Sequence, residues 1–280
     1  MSAMLYLVPT PIGNLGDISQ RCRETLEAAD FIAAEDTRVT LKLLNHLGIK
    51  KSLVSYYEHN KAAQGSRIVE RILGGETCAL VSDAGSPAIS DPGEDLVKQC
   101  AGAGIPVCAI PGPCAAITAL SISGQATGRF CFEGFLSTAK KSRREHLESL
   151  KSEQRTMIFY EAPHKLLTTL ADMAEVFGGE RPLSLCRELT KLHEEVVRTT
   201  LAEALERYTQ TPPKGEFVLI VAGAKPEEKE IPSETDAAAR LAELTAQGLS
   251  RKDAVKQTAK ELGLSKNAVY EIALKDSEKE

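Results

Sequence analysis

The sequence predicts an α/β protein of two units followed by a small helical domain. Three observations predict it. Apolar strand-like runs alternate with helix-length segments up to residue 123, and a second strand–helix series occupies residues 124–224. Composition then shifts at Lys225 to Asp236, a charged, proline-bearing linker without periodicity, and residues 237–280 beyond it are strongly helical.

In the first unit "AMLYLVPTPIG" reads as a strand ending in a Pro/Gly turn and "ISQRCRETLEAA" as a helix. "DFIAAED" is a second strand, and "TRVTLKLLNHLG" a helix stopping at Gly48. "AAQGSRIVERILGG" is a helix closed by Gly74 and Gly75, "TCALVSD" a strand and "GEDLVKQCAGAG" a helix. "PVCAIPGPCAAITALSISG" gives a strand, a Pro-Gly-Pro turn and a helix. This alternation predicts a mainly parallel sheet covered on both faces. The second unit contains strand "RTMIFYEAP", helix "HKLLTTLADMAEVFG", strand "RPLSLCREL" and helix "TLAEALERYTQ", and closes with strand "GEFVLIVAG". In the tail, two helical periods about Gly263 outline a helix-turn-helix.

A hydrophobic content of 42% and a charged content of 26% describe a folded globular chain rather than a disordered one. The apolar run Met4 to Val8 is too short for a signal peptide or a membrane span, so a cytoplasmic protein is expected. Seven cysteines without a C-x-x-C pair read as reduced core residues, and the five histidines are scattered, so no metal site is expected. A net charge of -5 argues against indiscriminate nucleic-acid binding by the whole surface. It leaves room for local patches, of which "STAKKSRREHL" is the clearest. That stretch reads either as a basic patch of Lys140, Lys141, Arg143 and Arg144 or as a solvated loop leading into a helix.

Ligands of open parallel sheets sit beyond the carboxyl ends of the strands. Here those ends carry "PTPIGNLGD", "EDTR", "DAGSPAISDPG" and "PGPCAA". Proline stiffens each loop, glycine lets a ligand approach the backbone, and Asp83 offers a carboxylate to a hydroxyl or a cation. Four such loops at matching positions predict a small-molecule cleft. Neither G-x-G-x-x-G before a helix nor G-x-x-x-x-G-K-[ST] occurs. A ligand held by backbone groups, small side chains and one or two acids suits a sulfonium nucleoside, although physics alone leaves this open.

The ordered set "YLVPTPIGNLGDIS", "ADFIAAEDTR", "ALVSDAGSPAISDPG", "IPGPCAAITAL", "FYEAPHKL", "CRELTKLHEE" and "GEFVLIVAG" resembles the tetrapyrrole-methylase superfamily. Within it, "FYEAPHKL" and "AEDTR" match the branch of bacterial 16S ribosomal RNA cytidine 2′-O-ribose methyltransferases. The resemblance runs from Leu5 to Gly223, and the tail looks like that branch's appended helical domain. It implies two α/β domains of the tetrapyrrole-methylase type with S-adenosylmethionine in the cleft between them, a homodimer, and a substrate in the RNA of the small ribosomal subunit.

By the same resemblance Asp83, Gly85, Ser86 and Ile89 contact the methionine part of the cofactor; the alternative is a tight turn in which Ser86-Pro87 caps the next helix. Pro11 and Gly13 bound the cleft. Cys114, where relatives often carry Ser or Thr, and Ala115 open a helix whose free N–H groups suit a carboxylate. Gly215, Glu216 and Ala222 either wall the adenine or belong to a core strand. Candidates for the chemistry are Glu35, Asp36, Arg38, Glu58, His59, Glu161, His164, Glu188 and Lys191. Competing structural readings stand beside several of them: Asp36 or Thr37 as a helix cap, Arg38 paired with an acid, His59 as a surface residue, and His164 as the start of a helix. Arg187, Glu188 and Lys191 read as phosphate-facing cations or as a salt bridge. RNA contacts are expected from Lys140, Lys141, Arg143, Arg144 and Arg187, and in the tail from Arg251, Lys252 and Lys266. With no tryptophan and 5% aromatic residues, recognition through phosphates and shape is expected rather than base stacking. Two rival readings remain open: a methylase of a porphyrinoid or other metabolite, and a ligand-sensing regulator whose tail binds DNA.

Overall fold

The computed structural model describes residues 3–225 and 233–277. It divides into two compact units, Met1–Ala224 and Lys225–Glu280. Of the expected linker, residues 226–232 lie outside the described residues, and the first tail helix already begins at Glu234, capped by Ser233.

Five parallel strands form the first sheet: β1 (Leu5–Leu7), β2 (Phe31–Ala34), β3 (Ser52–Ser55), β4 (Cys78–Val81) and β5 (Val107–Ala109), in the order β3-β2-β4-β1-β5. Helices α1 (Gln20–Ala28), α2 (Thr37–Leu47), α3 (Lys61–Leu73) and α4 (Gly93–Gly102) make the crossovers. Two of the three interior strands, "FIAA" and "CALV", are buried along their whole length, as strands covered on two faces are. Two cores result. Phe31, Ile68, Ile72 and Leu96 pack on one face, and Leu26, Ile32, Leu44 and Ala79 on the other. Each of these Leu, Ile and Phe side chains contributes about 1.5–3 kcal/mol by leaving water. Strand β3, "SLVS", is an addition to the sequence reading: a four-residue, half-exposed edge strand carries little periodicity.

The second sheet contains β6 (Phe130–Phe135), β7 (Thr156–Glu161), β8 (Pro182–Arg187), β9 (Glu195–Thr200) and β10 (Phe217–Val221) in the order β6-β7-β10-β8-β9. Only β6 and β7 pair in parallel; the other neighbours are antiparallel. Helices α6 (Lys140–Ser149), α7 (Pro163–Phe177) and α8 (Leu201–Gln210) supply its larger core, with Leu147, Leu166, Leu170 and Leu201 against Phe159 and Leu219. The opposite face is covered by α5 (Ala115–Ser123), whose Ala116, Ala119 and Leu120 pack on Ile158, Val218 and Ile220. A helix reached from the first sheet thus belongs by packing to the second, and its N-terminus comes to lie where the two halves meet.

All seven cysteines are free. The tail unit consists of α9 (Glu234–Ala246), α10 (Arg251–Leu262) and α11 (Lys266–Ser277) around Leu241, Leu244, Val255, Val269 and Ile272. The expected turn at Gly263 joins its last two helices. Among the described residues, no helix is long and apolar enough to cross a membrane.

Candidate active site: the cleft between the two sheets

Strands β1 and β4 are neighbours, so the loops leaving their carboxyl ends meet. Thr10 and Gly85 exchange two backbone hydrogen bonds, at 2.9 and 3.0 Å. The Thr10 hydroxyl donates to Ser82 O at 3.1 Å, and Ser82 Oγ donates to Gly85 O at 3.2 Å. Ser86 Oγ donates to Pro113 O at 2.9 Å, tying this loop to the turn that opens α5. Ala88 and Ser90 both adopt positive φ, 69° and 64°, which are strained values for residues with a side chain. Three loops are thereby locked into one rim.

That rim encloses a cleft of about 370 Å³, within the range of small-molecule sites. The first half contributes Ile12, Glu35, Asp83 to Ser86 and Ile89 to Asp91. The second contributes Cys114 and Ala115 at the start of α5, Phe135, Tyr160 and Glu161 at strand ends, and Leu189, Lys191, Glu216 and Phe217. Cys114 makes no side-chain capping bond, while the Ala116 N–H donates to Tyr160 Oη at 3.1 Å.

Three acids dominate the electrostatics. Burial, then the neighbouring Asp83, pushes the Glu35 carboxyl up. Asp91 is pushed up to about 7, first by burial and then by Glu35. The Asp83 Oδ1 accepts the Asp36 N–H at 3.0 Å. Opposite stands Lys191, whose Nζ lies 2.8 Å from both Glu188 Oε1 and Glu216 Oε2. Burial alone would lower its pKa, but the two carboxylates outweigh burial and raise it. Among the described residues, no group of three or more His, Cys, Asp or Glu side chains could hold a metal ion.

Of the residues singled out by sequence, Glu35, Asp83, Gly85, Ser86, Ile89, Cys114, Ala115, Glu161, Lys191 and Glu216 line this cleft. Ser86 caps no helix, because α4 starts seven residues later after Pro92. Gly13 and Gly215 support the wall from behind. A Cβ at Gly13 would lie 2.4 Å from Lys191 Cγ; one at Gly215, whose φ is +84°, would lie 2.5 Å from Glu188 Cγ. Pro11 leads into the same loop without lining the cavity.

Other candidates lie outside the cleft, where the alternative structural readings hold. Asp36 caps α2, accepting the Arg38 N–H at 2.8 Å, and pairs with the Arg38 guanidinium, which holds its carboxyl at about 2. Arg38 is 87% exposed, so the pair faces solvent rather than the cleft. His59 is exposed beside Tyr57, and Glu58 pairs with Lys61. His164 is on the first turn of α7 and lines a different, smaller cavity. Ala222 follows Val221, at the end of β10 remote from Phe217, and so lies away from the cleft.

The basic patch also divides. Arg143 is buried: Nε donates to Asp172 Oδ2 at 2.7 Å, and Nη1 donates to the carbonyls of Ser137 and Thr138. It cannot meet a phosphate, because the fold uses its guanidinium to satisfy a buried acid and two backbone carbonyls. Arg144 pairs with Glu175, and Arg187 with Glu195 at 3.2 Å. Lys140 and Lys141 remain exposed, as do Lys252 and Lys266 in the tail, while the Arg251 guanidinium donates to Ala273 O.

Sequence reasoning missed Asp91, Tyr160 and Phe135 as lining residues. Asp91 stands beside Pro92 and Gly93, where it reads as turn chemistry; Tyr160 reads as core strand. The signal available was spacing, since Asp91 lies eight residues after Asp83 in a loop that returns to its starting point.

Comparison with known proteins fits this geometry. Residues 4–205 match the family model described as Tetrapyrrole (Corrin/Porphyrin) Methylases, and residues 231–277 match one described as RsmI C-terminal HTH domain. The chain is 49% identical over 271 residues to the ribosomal RNA small subunit methyltransferase I of Synechocystis sp., covering 97% of each chain. It is 47% identical over 272 residues to the protein of that name from Escherichia coli O157:H7, covering 96% of this chain and 94% of that one. Among solved structures, diphthine synthase superposes with a TM-score of 0.60 at 15% identity, covering 78% of this chain and 90% of its own. Uroporphyrin-III C-methyltransferase from Thermus thermophilus, complexed with S-adenosyl homocysteine, gives 0.55 at 15%, covering 77% and 96%. With two sheets facing one loop-lined cleft and a family match over most of its length, this chain belongs to the tetrapyrrole methylase family.

Proposed function

We propose that this chain is a cytoplasmic, homodimeric S-adenosylmethionine-dependent methyltransferase acting on the 2′-hydroxyl of a cytidine ribose in the 16S RNA of the small ribosomal subunit. One observation carries the reading. Identity of 44–50% to proteins named ribosomal RNA small subunit methyltransferase I extends over at least 96% of this chain, cleft and tail together.

The cleft fits the cofactor. Glu35, Asp83 and Asp91 offer negative charge to a sulfonium and acceptors to ribose hydroxyls, while Ala84, Gly85, Ser86 and Ala115 leave room beside the backbone. The open N-terminus of α5 suits the cofactor's carboxylate. When bound, S-adenosylmethionine supplies a methyl group already activated by positive sulfur. The protein then has to align the ribose oxygen with that methyl and accept one proton. Alignment is the larger contribution, since a general base typically adds ~10²–10⁴-fold. Asp91, held at about 7, is the cleft carboxylate best matched to accept the proton near neutral pH. Lys191, bonded to Glu188 and Glu216, fixes the far wall. The two α/β domains end at 224, with α5 packed on the second sheet, and the helical tail that starts with α9 at Glu234 approaches RNA with Lys252 and Lys266.

Incubation with labelled methyl donor tests the reading. Unmodified small ribosomal subunits should acquire label in a ribose. Label appearing only in tetrapyrrole precursors would contradict it.

A further inference from the structure

Beside the cleft lies a second cavity of about 150 Å³, well above the ~10–15 Å³ of such space that one water needs. Glu161 lines both cavities, so the two share a wall. This carboxylate is only 3% exposed. Its Oε1 accepts the Ala162 N–H at 2.9 Å, and its Oε2 accepts the Thr169 hydroxyl at 2.5 Å. An ionised carboxylate offers about four acceptor sites, so two neutral donors leave it with unused capacity. A buried carboxylate with spare acceptors favours a ligand that brings donors. The facing wall, Ser137 and Thr138, is held rigid by the two carbonyl bonds from Arg143. His164 and Lys165, which also line the cavity, suit an anion at its mouth.

We propose that this smaller cavity seats the target base, and that Glu161 selects cytosine by accepting its exocyclic amine. The proposal rests on the functional reading above and deepens it. Cytosine presents an amine donor where uracil presents an oxygen acceptor, and a carboxylate is the group that distinguishes them. Uracil would set its oxygen against a buried acceptor with no donor between them, which disfavours it. On this proposal the ribose lies where the two cavities adjoin at Glu161, with its 2′-hydroxyl toward the cleft that takes the methyl donor. The phosphate then falls near Lys165. Arg143 also lines this cavity, but its guanidinium is engaged by Asp172 and by the Ser137 and Thr138 carbonyls, so it shapes the base site rather than supplying a donor to uracil.

The test is to follow binding of cytidine and uridine 5′-monophosphates to full-length protein saturated with S-adenosylhomocysteine, by saturation-transfer NMR. Cytidine monophosphate should bind at least tenfold more tightly in the wild type, and Glu161→Gln, which both donates and accepts, should bring the ratio near one. A second variant, Thr168→Trp, fills the cavity from an exposed position on α7. It should keep wild-type affinity for S-adenosylhomocysteine while raising the KM for small subunits at least tenfold. Equal binding of the two nucleotides by the wild type, or wild-type KM in Thr168→Trp, would overturn the proposal. If nucleotide discrimination holds but no subunit RNA is methylated, the base site stands and the ribosomal substrate falls instead.

Discussion

Asp91 sits between Glu35 and the strained turn at Ser90, and its elevated pKa has a thermodynamic consequence. Its carboxyl titrates near 7 in the fold, against 3.8 ordinarily. Between those values the folded protein retains a proton that the unfolded chain has released, so stability falls as pH rises through that window and levels off above it. Asp91→Asn removes that component. Thermal melting of the free protein from pH 4 to pH 8 should show a flatter dependence in the variant, which should melt a few degrees higher than wild type at pH 8. An identical slope in both proteins would contradict the assigned environment. Asp83 and Glu35 contribute to the same negative field, which a bound cation would relieve.

At the scale of elements, the cleft depends on loops packed too closely for side chains. Gly215 precedes β10 at φ +84° with Glu188 against it, and Glu188 itself sits at φ 51°. Gly215→Ala should therefore cost more than the ~1 kcal/mol of an ordinary glycine replacement and should shift the wall carrying Lys191. Calorimetric melting and methyl-donor affinity should fall together; a variant melting and binding like wild type would remove the strain argument. The long apolar or amphipathic segments were legible in sequence: "CALV", "FVLIV" and the helix ending at Gly48 each declare themselves by period and punctuation. Strands β3, β6 and β9 were not. "SLVS" is short, "FCFEGF" is broken by a register shift between Phe132 and Gly134, and "EVVRTT" is a partly exposed edge whose partner lies across a turn. The parallel pattern expected from the first unit accordingly says nothing of the antiparallel pairing in the second. The cleft acids were visible as loop residues, whereas the burial of Arg143 against Asp172 was invisible because its partner lies 29 residues away.

For the first unit as a whole, the arrangement places two sheets, each packed on both faces, around one cleft: the first sheet supplies acids and rigid turns, the second supplies α5, Tyr160 and the Lys191 wall. The tail carries its own core and exposes Lys252 and Lys266, so its fold does not depend on the chemistry of the cleft. The proposed function joins the two sheets through a methyl donor seated in their cleft, and it puts Asp83 among that donor's ligands. Isothermal titration of S-adenosylmethionine into the full-length protein and into Asp83→Ala tests that most directly. One site per chain in the wild type, weakened at least tenfold in the variant, is the expected result; no binding by the wild type, or equal affinity in both, would contradict it.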